Sequence, residues 1–245
     1  MTKHSSIPKG SLLERAAQLY DFNDALRGRA APAVDVPADA PPPVVDYAPP
    51  PVGADAAPAT QRARDWTGLP QTIDREKLAA GGFILPDGPV TALGEEFRLI
   101  KRDLLALLAG NARGNRILLC SPHSGEGKTF SAINLALSLA AEKDREVLLI
   151  DADLGKPGIP EALGLTPGAG LMDALADPAL AVEDMVLRTD IPSLCVLPAG
   201  RRSNNDTELL ASSRTEALLR RLTDGRPERI ILFDSPPLLA ASAAA

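Results

Sequence analysis

Aromatic residues are scarce in this 245-residue chain: one Trp, two Tyr and five Phe, 3% in all. That is too few for a large aromatic core. Hydrophobic residues reach 45%, but much of this is Ala and Val inside a Pro-rich stretch, so the figure overstates what can pack. Cysteine is nearly absent. Cys120 and Cys195 each sit in a short apolar run and are expected to be small buried residues. Two cysteines exclude a disulfide framework and a cysteine-based metal site. An excess of positive charge is also missing. The net charge is −6, and no basic stripe of the kind that marks a nucleic-acid binder is present, so no nucleic-acid partner is expected. No long apolar run occurs either. The longest, Ala136 to Ala141 with its flanks, is far below the ~18 residues that span a bilayer. The opening MTKHSSIPKGS lacks the apolar core of a signal peptide. The expected location is the cytoplasm, with any membrane association made through a partner.

The chain is uneven along its length. Residues 11–22, SLLERAAQLYDF, read as a short amphipathic helix. Ser11 and Glu14 have capping-box spacing, and Leu12, Ala16, Leu19 and Tyr20 form one apolar face. Residues 31–60 are a Pro/Ala/Asp linker, because proline removes backbone donors and fixes φ. Residues 61–90 are a transition with a few apolar anchors, Trp66, Leu69, Phe83 and Ile84. The expected organisation is an N-terminal region 1–30, a disordered linker 31–82 and a nucleotide-binding domain 83–245. From Thr91 on, Leu93, Phe97, Ile100, Leu104, Leu107 and Leu108 recur at helical spacing, with Glu95, Arg98 and Arg102 opposite. Short β-rich runs then alternate with helical patterns: Ile117–Cys120, Val147–Ile150, Leu194–Leu197 and Ile230–Phe233 as strands, short helices around 170–187, and a helix over 207–223. That alternation predicts an α/β fold, a mostly parallel sheet with helices on both faces.

Three of these strands end in chemistry. The first leads through RILLCSPHSGEGKTFSAINLALSLA, residues 116–140. A buried strand, a small polar loop, and Lys128–Thr129 opening an Ala/Leu-rich helix are the context a phosphate loop needs. Gly125 and Gly127 permit close backbone approach, Lys128 can reach the β/γ-phosphates, and Thr129 can offer its hydroxyl to Mg²⁺. Ser124, Gly125, Glu126, Gly127, Lys128, Thr129 and Phe130 are the expected nucleotide cradle. The strict G-x-x-x-x-G-K-[ST] pattern fails at its first position, where Pro122 stands. The second motif, REVLLIDADLGKPGIPEALGL (145–165), places Asp151 and Asp153 at the carboxyl end of a buried strand, where open α/β sheets bind ligands. The third, ERIILFDSPPLL (228–239), ends its strand on Asp234. Carboxylates beside a phosphate site suit Mg²⁺. Thr129, Asp151, Asp153 and Asp234 are the expected metal donors. His123 in the loop and His4 in the tail are read as solvated residues.

SPHSGEGKT, LLIDADLGKP and IILFDSPPLL resemble the Walker A, Walker A′ and Walker B motifs of the bacterial tyrosine kinases, within the MinD/ParA-like P-loop ATPases. FILPDGPVTALGEEFRLIKRDLL (83–105) and LPAGRRSNNDTELLAS (197–212) resemble the branch linked to exopolysaccharide and exosortase loci. The resemblance covers residues 83–245. It implies an ATP- and Mg²⁺-dependent tyrosine autokinase that regulates exopolysaccharide export. It also implies Lys128, Asp151 and Asp153 as catalytic groups, with one of the two acids activating the tyrosine hydroxyl, and Asp234 as the Walker B acid. It further implies an E-x-x-R-x-x-R oligomerisation motif matched by Glu95, Arg98 and Lys101, assembly into a homo-oligomeric ring, and a membrane-embedded polysaccharide chain-length regulator as partner.

The departures are specific. His123 stands where MinD/ParA proteins carry an extra lysine, which favours the kinase branch. Gly155 replaces a frequent arginine. The sequence stops soon after the Walker B strand, and its only tyrosines, Tyr20 and Tyr47, lie upstream. The expectation is a C-terminally truncated kinase domain without the usual tyrosine cluster. Two alternatives use the same residues: an ATP-dependent switch without kinase activity, and a non-catalytic module that competes for the oligomer interface.

Overall fold

The computed structural model describes residues 63–109, 115–203 and 205–241. In chain order its elements are β1 (Pro70–Gln71), α1 (Arg75–Ala80), α2 (Ala92–Ala109), β2 (Arg116–Leu119), α3 (Lys128–Ala140), β3 (Glu146–Asp151), α4 (Ile159–Leu163), α5 (Leu171–Ala176), α6 (Val182–Met185), β4 (Leu187–Thr189), β5 (Leu194–Leu197), α7 (Asp206–Ala211), α8 (Ser213–Thr223), β6 (Arg229–Asp234) and α9 (Leu238–Ala241). The strands form one sheet in the order β1-β4-β5-β3-β6-β2. The pairs β5–β3, β3–β6 and β6–β2 are parallel, as is β1–β4, and only β4–β5 is antiparallel. This is the mostly parallel α/β sheet that the strand–helix alternation predicts.

The apolar runs are continuous because both sheet faces are covered. In β3, Val147 and Leu149 face one layer while Leu148 and Ile150 face the other, all four fully buried. The first layer is built on α3, whose Ala132 and Ala136 let the helix lie close to the strands, with α2 outside it. The second is built on α5, α6 and α8 through Leu171, Met172, Leu175, Val182, Leu218 and Leu222. Each fully buried Leu or Ile contributes about 1.5–3 kcal/mol.

The structure departs from the sequence reading in four places. First, the packed chain begins by Ala63, well before residue 83. Trp66, Ile73 and Leu78 are buried, and β1 pairs with β4. The start of this stretch is held by Arg229, itself fully buried. Its guanidinium stacks over the Trp66 ring at 3.7 Å, pairs with Glu146 at 2.9 Å, and donates to the carbonyls of Arg64 and Leu222. Second, the buried stripe of α2 is rotated from the expected one. Phe97 and Lys101 are buried, Leu93, Leu104, Leu105 and Leu108 pack partly, and Ile100 and Leu107 are exposed. Lys101 lies inward along its stem and pairs its ammonium with Glu142 at 2.6 Å. Third, the helix expected over 207–223 is two, broken at Ser212, whose ψ of 162° is extended. Fourth, Cys195 is buried as expected but Cys120 is exposed, because β2 is an edge strand and Cys120 leaves its end. The helix read over 11–22, the linker over 31–60 and both tyrosines lie outside the described residues.

Candidate functional site

Register brings the three motifs together. Leu119 of β2 and Asp151 of β3 are both cross-strand partners of Asp234 in β6. The ends of three adjacent parallel strands therefore lie side by side, and the loops that follow them share one edge of the sheet.

The loop after β2 runs from Ser121 to Gly127. Gly125 and Gly127 have φ of 82° and 85°. A Cβ added at either meets nothing within 4 Å, so it is the left-handed backbone, not lack of space, that calls for glycine. Gly127 opens α3 with no side-chain cap. The amides of the first turn therefore have no side-chain acceptor from the cap residue, and the helix dipole favours an anion there. The loop is pinned from behind. Ser235 donates its hydroxyl to the Leu119 carbonyl at 2.7 Å, and the amides of Leu238 and Leu239 bond to the carbonyls of Ser121 and Pro122. Lys128, at the head of α3, donates to Ser121 Oγ at 3.0 Å and to the His123 carbonyl at 3.1 Å. Glu126 accepts the His123 amide at 3.0 Å.

Thr129 donates its hydroxyl to Asp234 Oδ2 at 2.6 Å, joining the loop helix to the end of β6. Asp151 Oδ2 accepts the amides of Gly158 and Ile159 at 2.9 and 3.0 Å. The other oxygen of each carboxylate, Asp151 Oδ1 and Asp234 Oδ1, is buried without a hydrogen-bond partner. Burial pushes Asp151 up to about 6, against its two amide bonds, and the nearby Asp234 adds to the rise. Asp234 is raised by burial too, opposed by the Thr129 hydroxyl and assisted by the charge of Asp153. Asp153 lies at the turn after β3 and accepts the Lys156 amide at 3.1 Å.

Two buried carboxylate oxygens lacking partners, beside a hydroxyl, are a donor set short of positive charge. Among the described residues no group of three or more acidic, histidine or cysteine side chains is placed to hold a metal ion, so Asp153 does not complete a set with Asp151 and Asp234. An open set of this kind fits Mg²⁺, which keeps waters and takes phosphate oxygens as further ligands.

Of the other expected cradle residues, Ser124 sits on the exposed crown of the loop. Phe130 stacks its ring on Phe83, centroids 5.2 Å apart. Asn134, fully buried, accepts the Ile84 amide and donates to the Phe130 carbonyl, fixing the segment at 83–85 against the first turns of α3. Glu95 and Arg98 pair with each other on the exposed side of α2 at 3.1 Å, while Lys101 turns inward to Glu142. Sequence reasoning did not single out Ser121, Ser235 or Asn134. Their signal was small: short polar side chains beside a strand end or inside an otherwise apolar helix.

Residues 117–169 match the CobQ/CobB/MinD/ParA nucleotide binding domain. In the solved BceF tyrosine kinase domain the alignment is 30% identical, covers 74% of this chain and 75% of that one, and gives a TM-score of 0.57. For the VpsO kinase domain it is 34% identical over 62% and 73% of the two chains, with a TM-score of 0.50. The chain belongs to the bacterial tyrosine kinase family. Among curated members of that family, the tyrosine-protein kinase ptk of Acinetobacter johnsonii is 32% identical over 141 residues, 58% of this chain and 19% of that protein. YwqD of Bacillus subtilis is 31% identical over 154 residues, 63% of each. This family member spans about a fifth of the length of the first curated relatives it matches. Its fold carries a nucleotide-binding P-loop domain. No helix among its described residues is long and apolar enough to cross a membrane.

Proposed function

We propose that this domain transfers the γ-phosphoryl group of ATP to tyrosine hydroxyls. The observation that carries the reading is the convergence of Lys128, Thr129, Asp151 and Asp234 at the ends of β2, β6 and β3, with two carboxylate oxygens left open. The loop amides and the first turn of α3 would bind the phosphates, and Lys128 would leave Ser121 to neutralise them. Thr129, Asp151 and Asp234 would hold Mg²⁺, with Asp153 beside them, and Mg²⁺ would supply charge neutralisation on the triphosphate. The tyrosine oxygen forms a bond to the γ-phosphorus as the bond to the ADP oxygen breaks, and the phenolic proton passes to a carboxylate. Asp151 ends β3 and Asp153 follows it in the next turn, so these are the carboxylates that would take the proton.

A role in exopolysaccharide export is part of the same proposal and rests on the family resemblance. So does assembly with a membrane-embedded chain-length regulator at the inner membrane, in a ring that uses Glu95 and Arg98 on the exposed side of α2; the third position of the motif, Lys101, is buried against Glu142 and is not available to it. An ATP-driven assembly switch would use the same loop and acids.

The separating experiment incubates the protein with Mg·ATP and a tyrosine-containing peptide, then measures phosphotyrosine. Kinase activity predicts phosphotyrosine that grows with time and needs Mg²⁺. ATP consumed or bound with no phosphotyrosine formed would select the switch.

A further inference from the structure

The loop that should cradle phosphate is closed on itself. The Glu126 carboxylate holds the His123 amide at 3.0 Å. The Lys128 ammonium holds Ser121 Oγ and the His123 carbonyl, and Ser121 Oγ donates to that same carbonyl at 3.0 Å. One loop amide therefore already has an anion, and the lysine already has two oxygens. The Glu126 carboxyl is exposed and held below the usual carboxylate range, chiefly by the His123 amide. It is thus ionised at neutral pH, where a triphosphate is ionised too. An ionised carboxylate oxygen accepting a loop amide does what a phosphate oxygen does in the same place. The two cannot share that amide, and they repel one another.

We propose that Glu126 sets the nucleotide affinity of this site by acting as a built-in competitor. Its carboxylate occupies the His123 amide until a nucleotide phosphate displaces it, and returns when the product leaves. This rests on the reading of the loop as the nucleotide site. Glu126 then lowers affinity for ATP and ADP alike and hastens release, and it takes no part in the bond-making step.

Two variants of the full chain separate this role from a scaffolding one. Glu126→Gln keeps the shape and an acceptor oxygen for the His123 amide but removes the charge; Glu126→Ala removes both. Calorimetric titration with Mg·ATP and Mg·ADP should show both variants binding about two- to fivefold more tightly than wild type, the scale of a screened, exposed charge. The gain should shrink as NaCl is raised, since the lost interaction is a repulsion between exposed charges. If Gln matches wild type while Ala binds more weakly, Glu126 scaffolds the loop and the proposal fails. It fails equally if both variants bind no better than wild type, or if the gain is indifferent to salt. If wild type and Lys128→Met titrate alike, the nucleotide site itself is misplaced. That outcome removes the foundation of the proposal and is told apart from its own failure.

Discussion

Asp151→Asn yields a domain that is more stable than wild type at neutral pH in the absence of nucleotide, yet forms no phosphotyrosine. Burial raises the Asp151 carboxyl from 3.8 to about 6. The folded state therefore holds its proton more tightly than the unfolded state does. Stability from this group is complete below about pH 4 and is lost as the pH climbs through 6. A rise of that size corresponds to about 3 kcal/mol at neutrality. The variant recovers less than this ceiling, because its amide leaves a polar group at the position of the unpartnered Oδ1. Urea melts of both proteins at pH 4 and pH 7.5 check the claim. The two should melt alike at the lower pH, and the variant should be the more stable at the higher. A variant less stable at pH 7.5 would mean that the carboxylate is held by partners the structure does not show. The catalytic loss follows because Asn cannot take the phenolic proton and offers a cation only a neutral oxygen.

Lys128→Met should lower phosphotyrosine formation by about 10²–10³-fold, the usual cost of removing a group aimed at charge that develops in the transition state. Nucleotide affinity should fall with it. The fold should survive. Lys128 bonds only to its own loop, through Ser121 and the His123 carbonyl, and a partly exposed group of this kind shifts stability by under about 1 kcal/mol. Unchanged melting combined with lost binding assigns the lysine to the nucleotide. A variant that retained full activity would take the phosphate loop out of the account.

The two predictions differ because the two side chains meet different surroundings, and that difference was only partly legible in the sequence. The three apolar runs ending at Cys120, Asp151 and Asp234 announced a parallel sheet and its carboxyl edge, since a strand covered on both faces has no polar alternation to blur it. The helix after Lys128 was legible for the same reason. What failed was whatever depends on a single distant partner. Residues 63–82 read as linker because Trp66, Ile73 and Leu78 are sparse. The burial of Trp66 rests on Arg229, more than 150 positions away, whose charge looked like a surface feature, while Ile73 and Leu78 pack into the distant layer around α3. Lys101 broke the apolar stripe of α2 because a lysine can be buried along its stem when Glu142 receives its ammonium. β4, three residues long and antiparallel to its neighbour, had too little pattern to stand out. In the site, the charged residues were visible from their positions. The hydroxyls of Ser121 and Ser235, which hold the lysine and the loop, carry no signal beyond being small and polar.

The most direct test is calorimetric titration of the wild-type protein with ATP at pH 6, with Mg²⁺ and then with EDTA, in two buffers of different ionisation enthalpy. Strand ends that gather a lysine, a hydroxyl and two carboxyls with raised pKa around one nucleotide require affinity to rise with Mg²⁺. They also require about half a proton to be released as the Asp151 carboxyl ionises. Binding indifferent to Mg²⁺, with the same heat in both buffers, would contradict the account.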